Sequence, residues 1–210
     1  MIRIWLAWLQ NSLGKGSGAD AQSWSEVLLG SLNAWSLLEG THLLFLILFA
    51  GTIFVVDLRL LGLVFRRTPV SVISRAILPL TIIGFILMVA TGLGLFFAKP
   101  LFYYHNIWFR GKLIFLAAAT INIAVFHVYE RRSQGAWDQK PLPPLPARLM
   151  AALSLASWLC VITLGRFIAY DWYECGKPIP HWANALQECK ASEKGAVDRI
   201  VVPALKAQGA

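Results

Sequence analysis

Charge is scarce in this sequence. Only 14% of its 210 residues are Asp, Glu, Lys or Arg, while 57% are hydrophobic. Ordinary globular domains carry about 25% charged residues and about 45–50% apolar ones, so a water-soluble domain of usual make-up is excluded. Cysteine is scarce too: Cys160 lies in an apolar run, and Cys175 and Cys189 lie in a polar tail. No CxxC or CxxCH spacing occurs, which removes a thiolate zinc site and covalent c-type haem attachment. Nothing alternates apolar and polar residues as a membrane barrel requires. No hydrolase or transferase motif is present. The opening run Met1–Leu9 is short and lacks a convincing small-residue cleavage site, so a cleaved signal peptide is not expected.

What the chain does have is long apolar runs. Four segments, at about 34–62, 72–98, 107–130 and 147–171, each supply the roughly 20 residues that a 30 Å hydrocarbon core demands. Their backbones are satisfied in lipid only as helices. The expected fold is therefore all-α, a polytopic four-transmembrane-helix bundle over 34–171. Residues 1–33 precede it as interfacial amphipathic segments, with Trp5, Trp8, Ile2 and Leu9 on one side of a short helix. Trp24, Val27, Leu28 and Leu32 stand at helical spacing in a second such segment. Residues 172–210 follow as a short tail. Pro79 is placed to bend the second span, and Gly84, Gly92 and Gly94 permit close helix approach.

The formal charge of +8 does not point to nucleic acid, because the basic residues cluster at the ends of apolar runs, where they set topology and meet lipid headgroups. Arg59, Arg66, Arg67, Arg75, Arg131, Arg132, Lys140 and Arg148 flank the loops after spans one and three, against Lys99, Arg110 and Lys112 on the other side. That bias places the first set in the cytoplasm and both termini outside, in the periplasm of a bacterial inner membrane. Cys175 and Cys189 would then lie in an oxidising compartment, and a disulfide between them is expected to staple the tail.

Topology sorts the polar residues by depth. Glu39, His42, His105, Arg110 and Arg166 form an outer layer; Asp57, Arg59, His127 and Glu130 form an inner one. Ionisable groups at membrane depth are costly and usually face a bundle interior, a cofactor or a cavity. His42 and His127 differ in depth by roughly 20 Å at 1.5 Å per residue, so they cannot share one iron. His42 with His105 is the better pair of axial ligands for haem b, with Arg110 and Arg166 available to the propionates and His181 a further candidate from the tail. The plainer alternative is a Glu39–Arg166 ion pair with His42 as a packing residue. In the inner layer, an Asp57–His127 pair could relay protons or hold a quinone headgroup. Its alternative, Asp57 neutralising Arg59 or Arg75 with His127 reaching the interface, is favoured by the nearness of both residues to helix ends. The cluster Phe102–Phe109 reads as an interfacial aromatic belt.

The segments Gly40-Thr41-His42-Leu43-Leu44, Asp57-Leu58-Arg59-Leu60-Leu61-Gly62, Pro79, Trp108-Phe109-Arg110-Gly111-Lys112-Leu113, Asn122 and Phe126-His127 together resemble an uncharacterised family of bacterial four-helix membrane proteins. The resemblance covers about 34–171. It implies four spans and marks His42, Asp57, Arg59, Arg110, Lys112, His127 and Arg166 as matching positions; His105 falls outside the pattern. More distantly, the layout is similar to copper-resistance D-like and cytochrome-b-like four-helix membrane proteins. No activity is carried over from the family. The functional expectation is a membrane subunit of a respiratory or electron-transfer assembly, with haem b on His42 and other membrane or periplasmic redox subunits, or quinone, as partners. The alternatives are a non-catalytic anchor or assembly subunit, and a small permease or metal-handling protein with His42, Asp57 and His127 along its path. Autonomous catalysis is not expected.

Overall fold

A computed structural model describes residues 2–11, 23–170 and 180–187. Eight helices run through them: α1 (Ile2–Asn11), α2 (Trp24–Gly30), α3 (Leu32–Leu60), α4 (Val70–Ala98), α5 (Pro100–His105), α6 (Ile107–Trp137), α7 (Leu145–Tyr170) and α8 (His181–Gln187). Among the described residues there is no strand. Four of the helices, α3, α4, α6 and α7, are long and apolar enough to cross a membrane. At 1.5 Å per residue the 29-residue α3 and α4 are each about 43 Å long, which exceeds a hydrocarbon core of about 30 Å and carries their ends into the headgroup layers. The protein is a multi-pass membrane protein.

The contacts divide the chain into two compact units. One comprises residues 42–89 and 111–166 and is a four-helix bundle. Its core draws a side chain from every spanning helix: Phe49 of α3, Met88 of α4, Ala119 of α6, and Trp158 and Val161 of α7. Phe49 stands edge-on to Trp158, with ring centroids 5.0 Å apart, and lies 5.4 Å from Phe85. A second cluster, Leu60, Val70, Ala147, Ala151 and Trp137, closes the far end of the bundle. Outward-facing positions such as Leu44, Ile47, Ile86, Ile114, Ile121 and Leu153 are large, aliphatic and exposed, as a lipid-facing surface must be.

Two polar clamps tie the connectors to this unit. The Asp138 carboxylate accepts from the Ser71 amide at 2.8 Å and the Ser71 hydroxyl at 2.5 Å, satisfying donors in the first turn of α4. Arg59 Nε donates to the Thr68 carbonyl at 2.8 Å, and its terminal nitrogens reach the carbonyls of Lys140 at 3.2 Å and of Arg66 and Pro141 at 3.5 Å. Gly62 completes the turn after α3 with φ +72, a backbone region that suits glycine. A Cβ there would meet Leu142 Cδ1 at 2.6 Å. Pro79 lies inside α4 without ending it.

The other unit comprises residues 1–41, 90–110 and 167–210. In it α1 packs on α5 and α2. Leu6 and Gln10 turn inward, while Trp5 and Trp8 are 56% and 62% exposed. The tryptophan face is thus the exposed one. The Ser25 hydroxyl of α2 donates to the Ala98 carbonyl at the end of α4, and Ser23 and Glu26 form a capping box at the start of α2. Asn106 Oδ1 accepts from the Phe109 amide at 3.0 Å and caps α6.

Sequence expectation and structure differ at several points. Spans one, two and four begin within two residues of the expected positions, but α6 continues to Trp137 rather than stopping near 130. Trp137 explains this: it packs against Tyr129 and donates from Nε1 to Ser133 Oγ at 3.0 Å, so the last turns are helical though polar. The aromatic belt contains a separate helix, α5. Among the described residues the one free cysteine is Cys160; the expected Cys175–Cys189 bond lies outside them.

Candidate functional site

Two polar residues of α3 within the bundle, His42 and Asp57, are neither caps nor clamps. His42 stands near its N-terminal end. Its imidazole is hydrogen-bonded to the Met88 backbone on α4 and lies in the field of the Lys112 ammonium on α6. Lys112 fits there because α7 offers a glycine: its Nζ is 3.4 Å from where a Cβ on Gly165 would stand. Next to it, Gly111 brings α6 equally close to Leu164. Three helices therefore deliver an imidazole, a carbonyl and an ammonium to one polar centre. An imidazole that donates one N–H to a carbonyl presents its other nitrogen as a lone pair, the tautomer in which histidine ligates metals. His42 thus has a lone pair available for a ligand, with an ammonium beside it that can meet an anion or a carbonyl oxygen.

The remaining outer-layer residues are distributed differently. His105, Glu39 and Arg110 belong to the unit that holds α1 and α5, whereas His42 and Arg166 belong to the bundle. His105 lies edge-on to the Tyr104 ring at 5.1 Å. Arg110 donates from Nε to the Tyr104 carbonyl at 3.0 Å and from Nη1 to the Leu186 carbonyl, and stacks over the Tyr104 ring at 5.2 Å. It holds α5 and α8 to the start of α6. Arg166 is exposed.

Glu39 acts on Tyr103. Burial among Phe96, Phe102 and Phe109 pushes the Tyr103 phenol up to about 12, and the Glu39 carboxylate adds to the shift. The neutral phenol is the form that the fold favours. Its contribution to stability is complete below pH about 10, the ordinary tyrosine value, and is lost as pH rises from there to about 12. An absorbance titration of the tyrosinate band should show one component near pH 12 that is missing in Tyr103→Phe. A wild-type curve with every tyrosine titrating near 10 would contradict the burial.

In the inner layer, His127 and Asp57 do not pair. His127 Nδ1 lies 3.4 Å from Glu130 Oε2, one turn along the same helix, and its side chain is 60% exposed. Asp57 is buried and faces Ser154 of α7. Nor does Asp57 neutralise Arg59 or Arg75: the Arg59 guanidinium is taken up by loop carbonyls, and Arg75 lines an open cleft with Ser71, Ser74, Glu130 and Arg131. Helix-end anchoring thus describes His127 but not Asp57. Ser154 and Ser157, both buried, went unnoticed in the sequence; two serines three apart in an aliphatic run were the available signal. Asn122 likewise turns inward and donates to the Met150 carbonyl at 3.0 Å. Among the described residues, no group of three or more His, Cys, Asp or Glu side chains is arranged to hold a metal ion.

The span-containing region is what relates this chain to others. A family profile described as "Family of unknown function (DUF6644)" matches residues 30–171. The chain belongs to that family. The match takes in all four spans, so the polar centre at His42 and Lys112 lies in the family's own region and α1 does not. No curated protein and no solved structure matches. The uncharacterised four-helix family expected from the motifs is thereby shown, while the more distant likeness to copper-resistance D-like and cytochrome-b-like proteins finds no support.

Proposed function

We propose that the protein is an integral-membrane subunit of a respiratory or electron-transfer assembly in the bacterial inner membrane, with both termini in the periplasm. His42 is the residue that would hold its cofactor. The observation that carries the reading is the polar centre itself: His42 oriented by the Met88 backbone, with Lys112 at hand, inside an otherwise apolar bundle. Were haem b the cofactor, the His42 imidazole would ligate its iron and the Lys112 ammonium would meet a propionate. When bound, haem would supply one-electron transfer, and the protein would orient the imidazole and exclude water. A quinone headgroup would use the same ammonium as donor to a carbonyl oxygen. The basic loops on the Arg59 and Arg131 side support the orientation.

The test is an absorption spectrum of the full-length protein purified after haem-supplemented expression. A Soret band is expected, and His42→Ala should abolish it while leaving the protein folded. Absence of the band in the wild type overturns the cofactor form of the proposal. One observation favours a second reading, a non-catalytic anchor or assembly subunit: the His42 ring already has a bundle partner in Met88. On that reading His42→Ala lowers thermal stability without changing any spectrum.

A further inference from the structure

Membrane-spanning helices can bury an ionisable side chain only if something compensates it: an opposite charge, several hydrogen bonds, or a bound proton. Asp57 of α3 is a case where the first two can be checked. Its side chain is only 6% exposed, and Oδ2 is fully enclosed with no hydrogen-bond partner. From α7, Ser154 supplies a hydroxyl to the carboxyl. Asn122, the buried amide of α6, spends its donor on the Met150 carbonyl, one turn before Ser154.

Among the described residues no charged group of the surrounding elements pairs with Asp57; on α7 itself Arg148, six residues before Ser154, has its Nε enclosed without a partner and makes no ion pair with the carboxyl. On α3 itself, Arg59 donates to the carbonyls of Thr68 and Lys140. At the start of α4, Arg75 opens onto the cleft that Glu130 and Arg131 also line. On α6, His127 is bonded to Glu130 at the surface and Lys112 sits beside Gly165. Asp138, beyond α6, caps α4. Among the described residues Asp57 makes no ion pair; the polar group that meets it is a neutral hydroxyl.

A carboxylate in this place would bear its desolvation with a single hydroxyl to offset it, and one oxygen would accept nothing. A carboxylic acid there carries no charge. We propose that Asp57 is a proton-binding site of the membrane bundle, holding its carboxyl as the neutral acid inside the bilayer with Ser154 as hydrogen-bond partner. This site is independent of any cofactor on His42 and does not involve His127. It gives the bundle a group that can take up and release a proton within the membrane, whatever partner drives it.

Dicyclohexylcarbodiimide tests the proposal, because it partitions into lipid and reacts with protonated carboxyls only. The acid O–H adds across one C=N bond: the carboxyl oxygen bonds the central carbon, the proton goes to nitrogen, and the O-acylisourea rearranges to a stable N-acylurea. Full-length protein in liposomes is treated over a pH series and mapped by peptide mass spectrometry. The expected result is an adduct on Asp57, absent from Asp57→Asn, whose yield falls roughly tenfold for each pH unit above its midpoint. Sodium or lithium at fixed pH should leave the yield unchanged. Absence of the adduct at every pH overturns the proposal, as does a yield indifferent to pH. Suppression by sodium overturns it in favour of a metal-cation site. The pH and sodium responses are read on the wild type, so they stand even if the variant misfolds, and none depends on the haem spectrum.

Discussion

Arg59→Ala should release the segment joining α6 to α7 and cost the protein much of its stability. The side chain is 1% exposed, and its donors bridge four carbonyls from two separate connectors, Arg66 and Thr68 before α4, and Lys140 and Pro141 before α7. Hydrogen bonds to a charged group contribute about 1.5–3 kcal/mol each when their partners would otherwise be buried unsatisfied. The 3.5 Å contacts count for little, so the 2.8 and 3.2 Å bonds set the scale, and a loss of about 3–6 kcal/mol is expected. Arg59→Lys should recover little, because an ammonium cannot span the fork of carbonyls that the planar guanidinium reaches. Unfolding by denaturing detergent measures the stability, and limited proteolysis within 138–144 reports release of the connector. An alanine variant with wild-type midpoint and an uncut connector would show that the clamp contributes nothing.

Arg59 also marks what the sequence could and could not reveal. The four spans were legible because about 20 apolar residues in lipid leave the backbone no alternative to a helix. Polarity was a poorer guide to helix ends: it marks where the membrane stops, and α6 runs on past that point because Trp137 packs against Tyr129 and bonds Ser133. The aromatic composition of Phe102–Phe109 was legible, but not the break at Asn106, whose side chain caps the next helix. Roles set by distant partners stayed hidden. Asp57 and Arg59 stand two apart and looked like mutual neutralisers, yet they point to α7 and to the connectors respectively. His42 was singled out from its depth and from the matching motif, while its partners Met88 and Lys112 come from helices 46 and 70 residues further on. Burial of a carboxyl beside a serine is a property of helix packing, and single-sequence periodicity does not contain it.

Gly84→Leu should pry α4 from α3, a second large effect with a different cause. In membranes helices associate by packing rather than by the hydrophobic effect, so close backbone approach at a small residue is where the association is secured. A Cβ on Gly84 would stand 3.1 Å from the Phe49 amide nitrogen and 3.3 Å from its Cα and Cβ. These are backbone and backbone-proximal atoms that no rotamer change can move aside. Gly84→Ala must therefore shift the helices by a few tenths of an ångström, at a cost of about 1–3 kcal/mol typical of overpacked cores. Leucine adds three further carbons and should exceed that range, separating Phe49 from Phe85 and loosening its edge contact with Trp158. Gly51 of α3 provides the control, since nothing lies within 4 Å of a Cβ placed there. Gly51→Leu should be neutral or stabilising by a few tenths to about 1 kcal/mol, the gain in helix propensity over glycine. Detergent unfolding with tryptophan emission as readout compares the two, because Trp158 lies at the disturbed contact. Equal midpoints for Gly84→Leu and Gly51→Leu would mean that α3 and α4 are not in close contact at Phe49, and the core that connects all four spans would have to be redrawn.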